Sequence, residues 1–292
     1  LEREALMEIA ALKAFIAVAE TGSFSLAAGQ LFLTQPAISK RISALETELE
    51  ARLFDRIGRS VILTEAGRAL LPRARRILLE LEDSARAIAS LSNEVRGTLR
   101  FGTSHHIGLH RLPPVLKQFT RKYPQVRLDI QFMDSEAACR AVEQGELEIG
   151  IVTLPPMPSA ALSILAIWPD PLEVAVSREH PLAERREPRL RDLVQYPAIL
   201  PAPTTFTRQI VERAFRGLGL ELNVALSTNY LETIGMLVSV GMGWSLLPVT
   251  MLDGQIQSLR LPGLALQRTL GVVHHRERTL SNAARTLIGL LQ

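Results

Sequence analysis

Residues Ser23 to Thr64 read SFSLAAGQLFLTQPAISKRISALETELEARLFDRIGRSVILT, two short helical patterns followed by a basic hairpin. Ahead of this run, Leu12, Phe15, Val18 and Ala19 recur at helical spacing, and Gly22 follows as a residue that tolerates the left-handed conformation of a helix C-cap. Ser25 is then placed to cap a second helix carrying Leu26, Ala27, Ala28 and Leu31, whose small residues let a neighbouring helix come close. After a turn through Phe32 and Leu33, Thr34 is placed to cap a third helix that starts at Gln35 and Pro36. Proline is harmless there, because N–H groups of a first turn have no intrahelical partner. The order of helix, turn and helix predicts a DNA reader.

The third helix has two faces. Ile38, Ile42, Leu45 and Leu49 repeat at helical spacing and point inward, whereas Gln35, Ser39, Lys40 and Arg41 gather near its N-terminus. Residues in that position reach base edges in the major groove: Gln bonds adenine, Arg or Lys bonds guanine, and Ser or Thr bonds phosphate or base. Next, Arg56, Gly58 and Arg59 lie between Phe54 and the short apolar run Val61 to Leu63, the pattern of a wing laid along the DNA backbone or minor groove. Its arginines are expected to add salt-dependent affinity more than sequence choice. As isolated features, Lys40 and Arg41 would read as solvated charges. Here caps, turn, small residues and basic hairpin agree with one another, which weighs more than any single motif.

These residues resemble a known family. Ala27-Ala28, Thr34-Gln35-Pro36-Ala37-Ile38-Ser39, Leu45-Glu46, Leu53-Phe54, Arg56 and Thr64-Glu65-Ala66-Gly67 are similar to the winged helix-turn-helix signature of LysR-type transcriptional regulators. The resemblance implies a multidomain α and α/β protein. Residues 7–64 are expected to form a DNA-binding domain, 65–93 a dimerising linker helix, and 97–292 an effector-binding domain of periplasmic-binding-protein type. That last domain divides into one subdomain of residues 97–165 and 257–292 and a second of 166–256, with the chain crossing near Ala166 and returning near Gln257. It implies double-stranded DNA, a small effector and a second copy of the chain as partners, with tetramers usual. One residue departs from the family, since Glu50 stands where glycine usually closes the recognition helix. A left-handed cap there would cost on the order of 1 kcal/mol, or the helix end must be shaped differently.

Composition fits this reading. With 292 residues and 47% hydrophobic content, the chain can build more than one core. No apolar stretch approaches a membrane span and no leader pattern opens the chain, so a cytoplasmic protein without a membrane partner is expected. A single cysteine, Cys139, rules out an internal disulfide and fits a reducing compartment. The net charge of +3 is too small to argue for nucleic acid by itself; the excess of Lys and Arg between Lys40 and Arg76 carries the signal.

From Thr64 the helical pattern continues to about Asn93. Leu70, Ala74, Ile77, Leu81, Ser84, Ile88 and Leu91 alternate spacings of four and three, the seam of a two-stranded coiled coil. The alternative is a helix lying on its own domain. Beyond Gly97, short β-rich runs alternate with helical stretches, predicting an α/β domain with a mostly parallel sheet.

In such sheets ligands sit outside the carboxyl ends of the strands. Those ends carry Thr103-Ser104-His105-His106, Thr153 and Thr204-Thr205-Phe206-Thr207-Arg208. Hydroxyls at helix N-termini suit an anion such as a carboxylate. The resemblance places these segments face to face across the inter-subdomain cleft, with a residue near Asn229 looking in. A small anionic effector held by Thr103, Ser104 and Thr205, with His105 or His106 tuning its affinity, is the expectation. The competing explanation is ordinary helix capping, or one histidine buried and the other exposed. No third metal ligand lies at a recognisable spacing, and no catalytic triad or phosphate loop is evident, so no cofactor, metal or enzyme activity is expected. Gly241-Met242-Gly243 follows a helix and precedes a strand, the reverse of a dinucleotide loop. Cys139 reads as a small buried filler.

Overall fold

The computed structural model describes residues 7–57, 60–89, 94–185, 187–252 and 254–292. They form two compact units divided between residues 91 and 92. Leu1 to Leu6, Gly58, Arg59 and Leu91 lie outside the described residues, as does the side chain of Arg56.

The first unit contains helices α1 (Ile9–Thr21), α2 (Phe24–Gln30) and α3 (Gln35–Glu48), strands β1 (Phe54–Ile57) and β2 (Ser60–Leu63), and the long α4 (Glu65–Ala89). Gly22 ends α1 in the left-handed region, its N–H bonded to the Val18 carbonyl. The cap of α2 is Ser23, whose Oγ accepts from Leu26 N–H at 3.3 Å, and not Ser25, which is exposed inside the helix. Leu26 likewise turns to solvent, while Ala27 and Ala28 are buried between α1 and α3. Thr34 occupies the N-cap position of α3, but its hydroxyl makes no capping bond. Phe15 and Phe24 pack on Phe54 with ring centroids 5.4 and 5.9 Å apart, joining the helices to the wing. Glu46 reinforces that joint, its carboxylate accepting the N–H groups of Leu53 and Phe54.

Glu50 adopts the left-handed conformation, with φ of 50°. Ala51 N–H bonds Glu46 O, and Glu50 N–H reaches Thr47 O, the bond pattern of a Schellman cap. The glycine geometry is therefore retained without the glycine. In contrast, Gly67 is required by packing: an added Cβ would lie 2.2 Å from the Leu53 carbonyl oxygen, where α4 passes the wing. Thr64 starts α4, its Oγ1 accepting from Gly67 N–H at 3.0 Å.

The expected seam of α4 divides in two. Ala74 is fully buried in the first unit's own core and Leu70 packs against it, so these residues are not free for a partner. Ile77, Leu81 and Ile88 remain exposed, Ile88 at 71%.

The second unit runs through β3 (Gly97–Thr103), α5 (His105–His110), α6 (Leu112–Lys122), β4 (Val126–Phe132), α7 (Ser135–Glu143), β5 (Ile149–Thr153), β6 (Leu162–Ser177), α8 (Leu190–Leu193) and β7 (Ala198–Leu200). It continues through α9 (Phe206–Gly217), β8 (Val224–Ser227), α10 (Leu231–Ser239), β9 (Ser245–Pro248), β10 (Ile256–Leu259), β11 (Leu266–His275) and α11 (Asn282–Leu291). The principal sheet has the order β10-β6-β11-β5-β3-β4, with β9 also paired to β6. It is mixed and not mostly parallel, because the long strands β6 and β11 run antiparallel to each other across the whole unit.

These two strands pass between separate cores. Leu165 and Ile167 on β6 pack with Leu99, Phe101 and Leu270, whereas Leu172 and Val174 pack with Phe215 and Trp244. On β11, Leu266 packs with the second core and Leu270 and Val272 with the first. The return expected near Gln257 therefore comes later, since Leu259 and Leu261 are still buried in the second core.

Candidate functional site

On α3, burial of Ile38, Ile42 and Leu45 turns Gln35, Pro36 and Lys40 to solvent and leaves Ser39 and Arg41 half-buried at the rim. Thr34 and Ser25 are exposed nearby in the chain. The wing strands pair from Phe54↔Leu63 to Ile57↔Ser60.

In the second unit, a cleft of about 50 Å³ lies between the two cores. Of the residues expected there, Ser104, His105, His106, Thr153, Thr205, Thr207 and Asn229 line it. Three do not. Thr103 is fully buried and donates its hydroxyl to the Ile151 carbonyl at 2.9 Å. Thr204 is exposed, and the Phe206 ring packs with the core around Cys139. Phe206 contributes through its backbone, because its N–H at the start of α9 is bonded by the Glu136 carboxylate. Thr205 caps α9, its Oγ1 accepting from Arg208 N–H at 3.2 Å. His105 and His106 divide as one exposed and one buried residue. The His105 ring packs beside Phe132 and Tyr230, with centroid separations of 5.2 and 5.0 Å.

Arg268 was not singled out by sequence. It is 5% exposed on β11; its Nε donates to Asp170 Oδ2 at 2.7 Å and its Nη1 to Thr207 Oγ1 at 3.1 Å. The remaining Nη2 is buried without a hydrogen-bond partner in the wall of the cleft. Asp134 and Glu136 were also missed. Asp134 Oδ2 accepts from Asn229 Nδ2 at 2.7 Å, and Asn229 Oδ1 in turn accepts Ala202 N–H at 2.9 Å. Both carboxylates thus hold the two sides of the cleft together. Burial raises the Glu136 carboxyl above its usual range, outweighing the opposing bond from Phe206. Burial, with Arg268 nearby, brings the His106 imidazole down to about 4, so that the ring is neutral.

Residues 9–68 match the bacterial regulatory helix-turn-helix proteins of the lysR family, and residues 92–292 match the LysR substrate binding domain. The chain belongs to the LysR family. It is a DNA-binding transcriptional regulator with an effector-binding domain. Among relatives, the transcriptional activator CmpR of Synechocystis is 30% identical over 95% of this chain and 92% of its own. A full-length OxyR variant from Pseudomonas aeruginosa superposes with a TM-score of 0.72 at 23% identity, covering 98% of both chains. The structure of CbnR complexed with its target DNA gives a TM-score of 0.64 at 24% identity, covering 97% and 98%.

Within this LysR-type regulator, Gly241 ends α10 with φ of 82° and Met242 N–H bonds Leu237 O, so the Gly-Met-Gly run terminates a helix. Cys139 is buried on α7, and burial pushes its thiol up to about 12. Spacing along the chain offered no third metal ligand beside His106; the fold brings His110 and Glu232 to it. No helix among the described residues is long and apolar enough to cross a membrane.

Proposed function

We propose that this regulator acts in the cytoplasm, without enzyme activity, as a dimer or tetramer that reads operator DNA with paired α3 helices and takes a small anionic effector into the cleft of its second unit. Gln35, Ser39, Lys40 and Arg41 are assigned to base and phosphate contacts, with Arg56 and Arg59 of the wing on the backbone. Exposed Ile77, Leu81 and Ile88 are assigned to pairing.

The observation carrying the anionic reading is Glu136. The protein's own carboxylate occupies the N-terminus of α9, where free N–H groups and the positive helix end favour negative charge. An effector carboxylate or oxyanion takes its place there, with Arg268 Nη2 as an available second donor. A cleft of about 50 Å³ holds only a few waters, so anything larger enters as the two sides part. The effector then shifts the dimer's geometry by its differential affinity for the parted and closed arrangements. Calorimetric titration of the full chain with carboxylates and with sulfur and phosphorus oxyanions tests this; saturable binding in at least one class is expected, and no binding up to millimolar concentration in any class overturns it.

A further inference from the structure

We propose that His106 and His110 of α5 and Glu232 of α10 form a three-ligand site for a divalent first-row metal ion, zinc above all, that ties the two sides of the second unit together. The two histidines are one helical turn apart on the same helix, the spacing that places two imidazoles on one face for a single ion. Glu232 arrives from the other core, in the first turn of α10. One ligand atom from each residue lies within 4.8 Å of the others.

The geometry matches zinc closely at two of its three edges. Bonds of about 2.0–2.1 Å in a tetrahedron put ligand atoms about 3.3–3.4 Å apart. Glu232 Oε1 stands 3.3 Å from His110 Nε2 and 3.6 Å from His106 Nδ1. Neither approach is a hydrogen bond: Glu232 Oε1 and both nitrogens of His106 are buried polar atoms that bond no protein group. Two of these atoms, Glu232 Oε1 and His106 Nδ1, face one point, and an ion coordinated there removes their unexplained desolvation cost. His106 is 3% exposed, and its ring lies tilted beside that of His110 with centroids 4.7 Å apart, so little rotation is needed to converge. The charge of nearby Arg268 opposes a cation, but it is compensated by its ion pair with Asp170. Three protein ligands leave a fourth position for water or an anion.

Zinc titration of the untagged full chain against a chromophoric chelator, with His110→Ala and Glu232→Gln alongside, tests the site. One tightly held zinc per chain is expected, with affinity lowered at least tenfold in each variant while near-ultraviolet circular dichroism is unchanged. Absence of stoichiometric zinc, or equal retention by folded variants, overturns the proposal. If a variant does not fold, cobalt loading of the unaltered chain decides. Intense visible bands of four-coordinate cobalt support the site, and weak six-coordinate bands overturn it.

Discussion

The carboxylate of Glu136 on α7 accepts the backbone N–H of Phe206 at the start of α9, so an internal anion fills the position assigned to the effector. Closure of the cleft and binding of a ligand anion therefore compete for one donor.

Glu136→Gln keeps a hydrogen-bond acceptor and removes the competing charge. Affinity for the effector anion is expected to rise about threefold to tenfold, equivalent to about 0.6–1.4 kcal/mol, by calorimetry. Lower affinity in the variant would assign Glu136 to holding the ligand and not to competing with it.

The raised Glu136 pKa also fixes a pH dependence. Because the folded form holds this proton more tightly than the unfolded chain, stability contributed by the protonated carboxyl is present below the ordinary glutamate range and is lost as pH rises through the raised value. Denaturant titration of the unaltered chain and Glu136→Gln should show this slope only in the former.

At Glu50 the left-handed backbone is held by a residue with a Cβ. Glu50→Gly is expected to stabilise the first unit by about 0.5–1 kcal/mol, since relief of the left-handed strain exceeds glycine's added chain entropy. An upward shift of the corresponding calorimetric transition checks it; a downward shift would mean that the Glu50 side chain contributes more than its backbone costs.

Cys139, with its thiol pushed up to about 12 and its side chain buried, should not react with thiol reagents at neutral pH in the native protein. Labelling should appear only on denaturation, and rapid labelling of native protein would point to a redox role.

Leu81→Asp places a charge in the exposed part of the α4 stripe without touching the buried Ala74. Sedimentation is expected to show dissociation of the dimer with the fold intact. An unchanged mass would move the pairing surface elsewhere.

How legible each feature was in the sequence depended on whether its cause was local. Helix periodicity and the Gly22 and Gly241 stops follow from neighbouring residues, and these features appear where expected. Ser25 is the cap expected from sequence, but the helix already starts at Phe24, so Ser23 takes that role. The first half of β6 was hidden because Pro169 and Pro171 interrupt its alternation, although both residues pair with β11. Between them sits Asp170, fully buried against Arg268. A lone arginine and an aspartate flanked by prolines look like solvated charges in a sequence, and their pairing arises only when two strands 98 residues apart meet. Glu136, Glu232 and the divided α4 stripe were hidden for the same reason: each depends on what lies opposite.

Selection of binding sites from random DNA, with the full chain and with Arg41→Ala, tests whether α3 of the paired regulator reads sequence. A two-fold symmetric motif is expected, with half-sites about one helical turn or a multiple of it apart, bound at least about a thousandfold above nonspecific DNA. In Arg41→Ala, preference at one base of each half-site should weaken by about 1–3 kcal/mol. Equal affinity for selected and random DNA, or identical base preferences in the two proteins, would contradict it.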